Sequence, residues 1–117
     1  MNPPLLVLAV CLSTTVTIAA EPSNTFTPLF NGRDLSGWVN VNCAPETFTV
    51  RDGMIHCDGI PTGALRTDRQ FENFILELEW RHMKSGGNAG VFIWSGSLPA
   101  PGQPFLRAIE VQVLDHG

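Results

Sequence analysis

The chain has 117 residues, of which 44% are hydrophobic and 15% charged, and its formal net charge is −4. This composition is typical of a globular protein and argues against a disordered one. Lys84 is the only lysine, and the arginines do not cluster. Neither nucleic acid nor an anionic membrane surface is therefore an expected partner, because both attract basic patches.

The N-terminal residues have the pattern of a secretory signal peptide. An apolar run over residues 5–18 precedes Ala19 and Ala20, which provide a small-residue cleavage site. The run is short for a transmembrane helix, although the usual Lys or Arg before it is missing, and a retained N-terminal anchor is the alternative. We expect export to the periplasm or the cell exterior, with a signal peptide over 1–20, a linker over 21–28 and a domain over 29–117.

Two cysteines remain after the predicted cleavage. Cys43 and Cys57 form an even pair in an exported chain, which favours a disulfide, and the alternative is two small buried thiols. Their spacing, with three scattered histidines, is not the pattern of a structural zinc site.

The domain opens with a turn signal. Asn31-Gly32 stands between apolar residues and predicts a turn that Trp38 closes. Trp38 is interpreted as a core residue, with a platform for stacking a sugar ring as the alternative.

A β-hairpin is predicted next. The Asp-Gly pair at 52–53 separates two alternating runs, 47–51 and 54–57. A type I′ turn needs positive φ at both central positions, which Asp-Gly tolerates. A two-residue loop then sets Arg51 opposite Met54.

Residues 74–82 alternate between apolar and charged side chains. A helix would leave Leu76 and Trp80 off its apolar stripe, so the period of two is favoured and predicts a strand. Glu79 and Arg81 share the polar face of that strand. They form either a solvent-facing charge pair or the floor of a binding cleft.

The C-terminal residues predict two further strands. Residues 90–94 are apolar on both faces, as in a central strand, and Trp94 is interpreted as a core residue or as a surface for a pyranose ring. Residues 95–104 contain three prolines and two glycines, so they must form a loop. Residues 109–114 alternate and predict the last strand.

The polar face of this last strand is the candidate site. Glu110 and Gln112 stand side by side on it, and Asp115 follows with a second carboxylate. The alternative is an exposed strand with solvated polar residues. The whole pattern of short strands and Gly/Pro/Asn turns, without a convincing helix, predicts an all-β sandwich or jelly roll.

Several of these stretches together resemble the 3-keto-disaccharide hydrolase domain family. They are LFNGRDLSGW over 29–38, FTVRDG over 48–53, the alternating run over 74–81, GNAGVF over 87–92 and EVQVLD over 110–115. The resemblance implies a concanavalin-like jelly-roll β-sandwich and hydrolase activity on oxidised sugars, with a carbohydrate substrate.

The sequence departs from the family in two ways. The family's domain continues well past the last predicted strand, whereas this chain stops at Gly117, so we expect the N-terminal part of a truncated sandwich. Asn88-Ala89-Gly90 stands where the family often has Asn-Ser-Gly.

The resemblance and the residue types together favour an elimination mechanism. A 3-keto group acidifies the C2–H bond, so one carboxylate base, one acid and donors to the enolate oxygen suffice. Glu110 is the expected base, and Asp115 is the expected acid or the ligand of a divalent cation. Further expected roles are Gln112 and Asn88 as donors to sugar or enolate oxygens, Arg81 as a stabiliser of negative charge, and Glu79 and Trp94 as substrate contacts.

Three alternatives are weighed against this function. The same strand also resembles the E-x-D-x-(x)-E strand of laminarinase-type glycosidases, but Asp115 would need a bulge at 113–114 to reach Glu110's side. Even then the two Cα atoms would lie roughly 13 Å apart at about 3.3 Å per residue, whereas a retaining glycosidase needs its carboxyl groups about 5–5.5 Å apart. The remaining alternatives are a non-catalytic carbohydrate-binding module and an inactive fragment of the enzyme.

Overall fold

The computed structural model describes residues 25–99 and 101–117. Within these ranges the chain forms six β-strands and no helix: β1 Trp38–Val41, β2 Phe48–Arg51, β3 Met54–Cys57, β4 Ala64–Thr67, β5 Asn88–Ile93 and β6 Ile109–Leu114. The strands pair antiparallel as three two-stranded sheets, β1–β4, β2–β3 and β5–β6. The all-β prediction is confirmed and agrees with a β-sandwich, while the jelly-roll strand order stays a prediction.

The predicted N-terminal segments lie almost wholly outside the described residues. This applies to the signal peptide over 1–20 and to the first half of the linker, whereas residues 25–28 are exposed and form no regular secondary structure. The described residues contain no helix that is long and apolar enough to cross a bilayer. Export and the domain boundaries remain predictions.

The predicted hairpin is confirmed in position and register. β2 and β3 pair with Arg51 opposite Met54 and Phe48 opposite Cys57. The two loop residues both have positive φ, 51° at Asp52 and 71° at Gly53. This is the combination that a type I′ turn requires.

The turn before β1 is also confirmed. Gly32 has a φ of 76°, and the Oδ1 atom of Asn31 accepts a hydrogen bond from the backbone N–H of Arg33 at 2.8 Å. Trp38 is half-buried, and its indole N–H donates to the carbonyl oxygen of Leu29 at 3.1 Å. Trp38 therefore closes the turn, as the sequence predicts.

A small core lies where the β1–β4 sheet meets β5 and the loop before β6. Val41 and Ala64 are opposite each other in the register of β1 and β4, and both are buried with Leu106. Val39 and Phe92 pack against this cluster. β1 was not predicted from the sequence, because no turn signal joins its four residues to their distant partner β4.

The prediction of a strand over residues 74–82 is wrong. These residues belong to none of the three sheets, and their side chains are largely exposed, with Leu76 at 39% and Trp80 at 61%. Alternation provides two faces, but a strand also needs a neighbour whose N–H and C=O groups complete the ladder. The described part of the chain supplies no such neighbour here.

Cys43 and Cys57 are free thiols in the structure, so the predicted disulfide is not formed there. The Sγ of Cys43 donates to the carbonyl oxygen of Ala64 at 3.8 Å. Cys57 is exposed at the end of β3, yet its neighbours desolvate the thiol enough to raise its pKa. A raised pKa leaves less thiolate to react. The disulfide stays a prediction for an oxidising compartment.

Candidate functional site

The register of β5 and β6 sorts their side chains onto two faces, since cross-strand partners lie on the same side of a sheet. One face, called the Glu110 face below, carries Asn88, Gly90, Phe92, Glu110, Gln112 and Leu114. The opposite face, called the Val111 face, is apolar throughout and carries Ala89, Val91, Ile93, Ile109, Val111 and Val113. The strand predicted over 109–114 is confirmed with these bounds.

Three polar side chains of the Glu110 face are open to solvent. Glu110 and Gln112 belong to β6 and Asn88 to the start of β5, and all three residues are exposed. Among residues 25–99 and 101–117, none of these side chains forms a hydrogen bond or an ion pair. Their donors and acceptors are therefore available to a polar ligand.

The side chain of Glu110 lies across the sheet rather than standing away from it. Phe92 is its direct cross-strand partner, and Gly90 is the next residue of β5 on the same face. A Cβ atom added at Gly90 would lie 2.6 Å from the Cδ of Glu110 and would overlap its Oε1. The carboxylate thus occupies the space above Gly90, at the level where Gln112 stands opposite.

The Asp115 carboxylate accepts hydrogen bonds from backbone N–H groups of a turn. β6 is regular to its last residue, without a bulge, so Asp115 leaves the strand on the side away from Glu110. Its Oδ2 accepts from the N–H of Gly86 at 3.2 Å and its Oδ1 from the N–H of Gly117 at 3.1 Å. Its own N–H donates to the carbonyl oxygen of Gly87 at 2.9 Å. The structure therefore does not bring the second predicted carboxylate beside the first.

His82 is a contact that the sequence analysis missed. Its Nε2 lies 2.9 Å from the carbonyl oxygen of Val113, and since a carbonyl only accepts, this nitrogen carries the proton and donates. The ring covers Gly87, where an added Cβ would lie 2.5 Å from the His82 Cγ. His82 thus ties the segment before β5 to β6. The sequence signal for this contact is the glycine pair at 86–87 directly before β5, because residues without side chains leave room for an imidazole ring.

The two charged residues predicted for the cleft are not brought onto the Glu110 face. The Nη2 atom of Arg81 lies 3.9 Å from the Sδ of Met54, on β3. Glu79 is exposed, and within the described residues it forms no ion pair with Arg81 or any other residue. The predicted charge pair is therefore wrong, and their contact with substrate stays a prediction.

Trp94 follows β5 directly and is 77% exposed. Its interpretation as a core residue is wrong. Its φ of 49° lies in the left-handed region, which bulky residues rarely adopt. Such outliers are concentrated at functional sites, and the indole face is open for stacking.

The chemistry of the Glu110 face is that of one carboxylate beside two amides. Glu110 is the single ionisable residue that β5 and β6 place on that face, whereas double displacement at a glycoside uses two carboxyl groups about 5–5.5 Å apart. Among the described residues, no group of three or more His, Cys, Asp or Glu side chains could hold a metal ion. The arrangement suits removal of a single proton and hydrogen bonding to a polar oxygen.

Comparison with known proteins relates the chain to a family and to a protein that are both named for 3-keto sugars. A family model described as "3-keto-alpha-glucoside-1,2-lyase-like domain" matches residues 25–117. A protein of Bacteroides thetaiotaomicron named 3-keto-disaccharide hydrolase is 28% identical over 106 residues, which cover 75% of this chain and 36% of the relative. The chain therefore spans about a third of the length of that relative. No solved structure matches.

Proposed function

This chain belongs to the family of 3-keto-alpha-glucoside-1,2-lyase-like domains, and from that premise we propose that it carries the catalytic base of an enzyme that cleaves 3-keto disaccharides. The bond is broken by base-initiated elimination, and hydration completes the hydrolysis. The family is named for a lyase and the relative for a hydrolase of 3-keto sugars, and an elimination followed by hydration accounts for both names.

The observation that carries the proposal is the composition of the Glu110 face. It has one carboxylate, Glu110, and two amide side chains, Asn88 and Gln112, all exposed and without partners among the described residues. Hydrolysis of an ordinary glycoside needs two carboxyl groups at the scissile bond. Elimination from a keto sugar needs one base and donors for an enolate.

The first step is the transfer of the C2 proton to the Glu110 carboxylate. The ketone at C3 lowers the barrier, because the electron pair of the C2–H bond moves into a C2–C3 double bond and the C3 oxygen takes the negative charge. The amide N–H groups of Gln112 and Asn88 donate hydrogen bonds to this oxygen or to neighbouring hydroxyls.

The second step breaks the bond between C1 and the glycosidic oxygen. The enolate electrons return to form a C1–C2 double bond, the ketone is restored, and the leaving oxygen takes a proton from an acid or from water. Addition of water across the C1–C2 double bond then puts a hydroxyl on C1 and returns a proton to C2. The sum consumes one water and changes no oxidation state.

The test is turnover of a 3-keto disaccharide by the whole chain in deuterium oxide. Elimination predicts that the released 3-keto sugar carries deuterium at C2, whereas direct displacement leaves the C2 proton in place. Glu110→Gln should lower kcat by about 10²–10⁴-fold, the usual contribution of a general base.

Glu77→Gln is the matched control, because Glu77 is also exposed and lies outside all three sheets. It should leave kcat unchanged. Product without deuterium at C2 contradicts the elimination. Binding of the sugar with no product from wild type or Glu110→Gln supports the non-catalytic module instead, for which the exposed Trp94 is the specific observation.

A further inference from the structure

Gly90 occupies a position where glycine is unusual. It lies in the interior of β5, opposite Gln112, and glycine within a strand loses more conformational entropy on folding than other residues and has no side chain to pack. Its φ does not lie in the left-handed region, unlike that of Gly53 or Gly32. The backbone at this point therefore does not require glycine.

Space above the sheet is what glycine provides here. A Cβ at position 90 would lie 2.5 Å from the Cγ and 2.6 Å from the Cδ of Glu110, and closer still to Oε1. Non-bonded carbon atoms settle about 3.5–4.0 Å apart. The observed position of the Glu110 carboxylate is therefore compatible with glycine and with no other residue.

We propose that Gly90 is a positioning residue, which keeps the Glu110 carboxylate flat against β5 and at the level of Gln112. The consequence for activity rests on the proposed function. With a side chain at position 90, Glu110 must take another rotamer that moves the carboxylate away from the amides. A base displaced by about 1 Å can lose about 10²-fold in rate.

The experiment compares Gly90→Ala with wild type in the whole chain. We expect kcat for the 3-keto disaccharide to fall at least tenfold, while KM changes less than threefold, since the substrate contacts of Gln112 and Asn88 remain. Gly96→Ala is the matched control. Gly96 lies just past β5, hydrogen bonds to Arg107, and would hold a Cβ at ordinary contact distances of 3.8 Å and more.

A second pair of variants separates positioning from general damage to the strand. Glu110→Ala removes every side-chain atom beyond Cβ and so clears the space above Gly90. In that background, Gly90→Ala should lower the residual kcat less than twofold. An equal loss in both backgrounds would overturn the proposal, because Gly90 would then act independently of Glu110.

A structural measurement keeps the proposal separate from the proposed activity. In wild type, nuclear Overhauser contacts between the Glu110 γ-protons and the Gly90 α-protons are expected, and in Gly90→Ala they should be lost while the β5–β6 backbone contacts remain. If these contacts are present but no variant turns over keto sugar, the function is wrong and the positioning holds. Absence of the contacts in wild type, or unchanged kcat in Gly90→Ala, overturns the positioning.

Discussion

Asp34 shows how a single residue in this chain responds to its local hydrogen bonds. Its Oδ1 accepts from the backbone N–H of Ser36 at 2.9 Å and from the Nδ2 of Asn31 at 2.8 Å. Hydrogen bonds from Ser36 and then Asn31 lower the pKa of the Asp34 carboxyl from 3.8 to about 2, because they stabilise the ionised form. The carboxylate thus helps to hold the turn before β1.

The pH dependence of stability follows from the direction of this shift. The pKa of Asp34 is lower in the folded than in the unfolded chain, so its contribution is complete above about pH 4 and is lost as the pH falls towards about 2. We expect Asp34→Asn to lower the urea midpoint above pH 4, and the difference from wild type to shrink between pH 4 and pH 2. Asp68→Asn is the control, since the Asp68 carboxylate accepts no hydrogen bond among the described residues. A difference that stays constant down to pH 2 would contradict the assignment.

At the scale of single residues, the face on which a side chain lies was predicted better than its exposure and its contacts. Glu110 and Gln112 share a face as expected, because the period of a strand is two. Asp115 is engaged by a turn, and Trp94 is exposed, because both depend on the backbone direction just past the end of a strand. That direction is set by turns that a pattern of apolar residues does not encode.

Among the elements, the hairpin of β2 and β3 depends most on one residue. Gly53 has a φ of 71°, and a Cβ added there would meet nothing nearer than the Gly32 carbonyl oxygen at 3.9 Å. Gly53→Ala should therefore lower the free energy of unfolding by about 1–2 kcal/mol, the cost of the left-handed conformation for a residue with a Cβ. Urea unfolding measures it.

Gly53→Asn is the matched variant for this element. Asparagine tolerates the left-handed region, so its cost should be clearly smaller than that of alanine. Equal losses for the two variants would indicate that packing, rather than backbone conformation, selects glycine at this turn.

Strands joined by a tight turn were the most predictable elements, although β6 was also predicted from its alternation alone. β2 and β3 are joined by two residues, so alternation and one turn signal specify both strands and their register. Residues 74–82 have the same alternation but no hydrogen-bonded partner in the described part of the chain. Short β1 was missed because its partner β4 lies more than twenty residues away, and alternation alone does not reveal distant pairing.

For the molecule as a whole, the uneven burial of the Val111 face is the main feature of its energetics. Val113 is 5% exposed, whereas Val111 and Ile109 on the same strand and face are each 53% exposed. The buried apolar residues of the described chain are few: Val41, Ala64, Leu106 and Val113. Two-stranded sheets are marginally stable by themselves, so these few side chains matter disproportionately.

Two identical truncations on β6 test this distribution. Val113→Ala should lower the free energy of unfolding by about 2 kcal/mol, from lost apolar burial and the cavity left behind. Val111→Ala should cost less than about 1 kcal/mol, because half of its side chain is already in water. Both changes carry the same penalty in strand propensity, so their difference reports burial. Urea unfolding followed by tryptophan fluorescence measures both.

Equal losses for Val111→Ala and Val113→Ala would contradict the exposure of the Val111 face in solution. A second copy of the chain covering that face would then be the explanation to examine, by sedimentation over a range of concentrations. Unequal losses, with the larger at Val113, agree with the structure.

The pairing of β5 with β6 affects how the Glu110 face can be transferred between genes in evolution. The two strands are consecutive along the chain, so residues 88–114 include every side chain of the Glu110 face. A single short stretch of gene therefore encodes the whole face, and one recombination event can transfer it intact. Insertions between the strands would enlarge its border and leave the register of β5 and β6 untouched, so the surroundings of the face can diverge while Asn88, Glu110 and Gln112 stay in place.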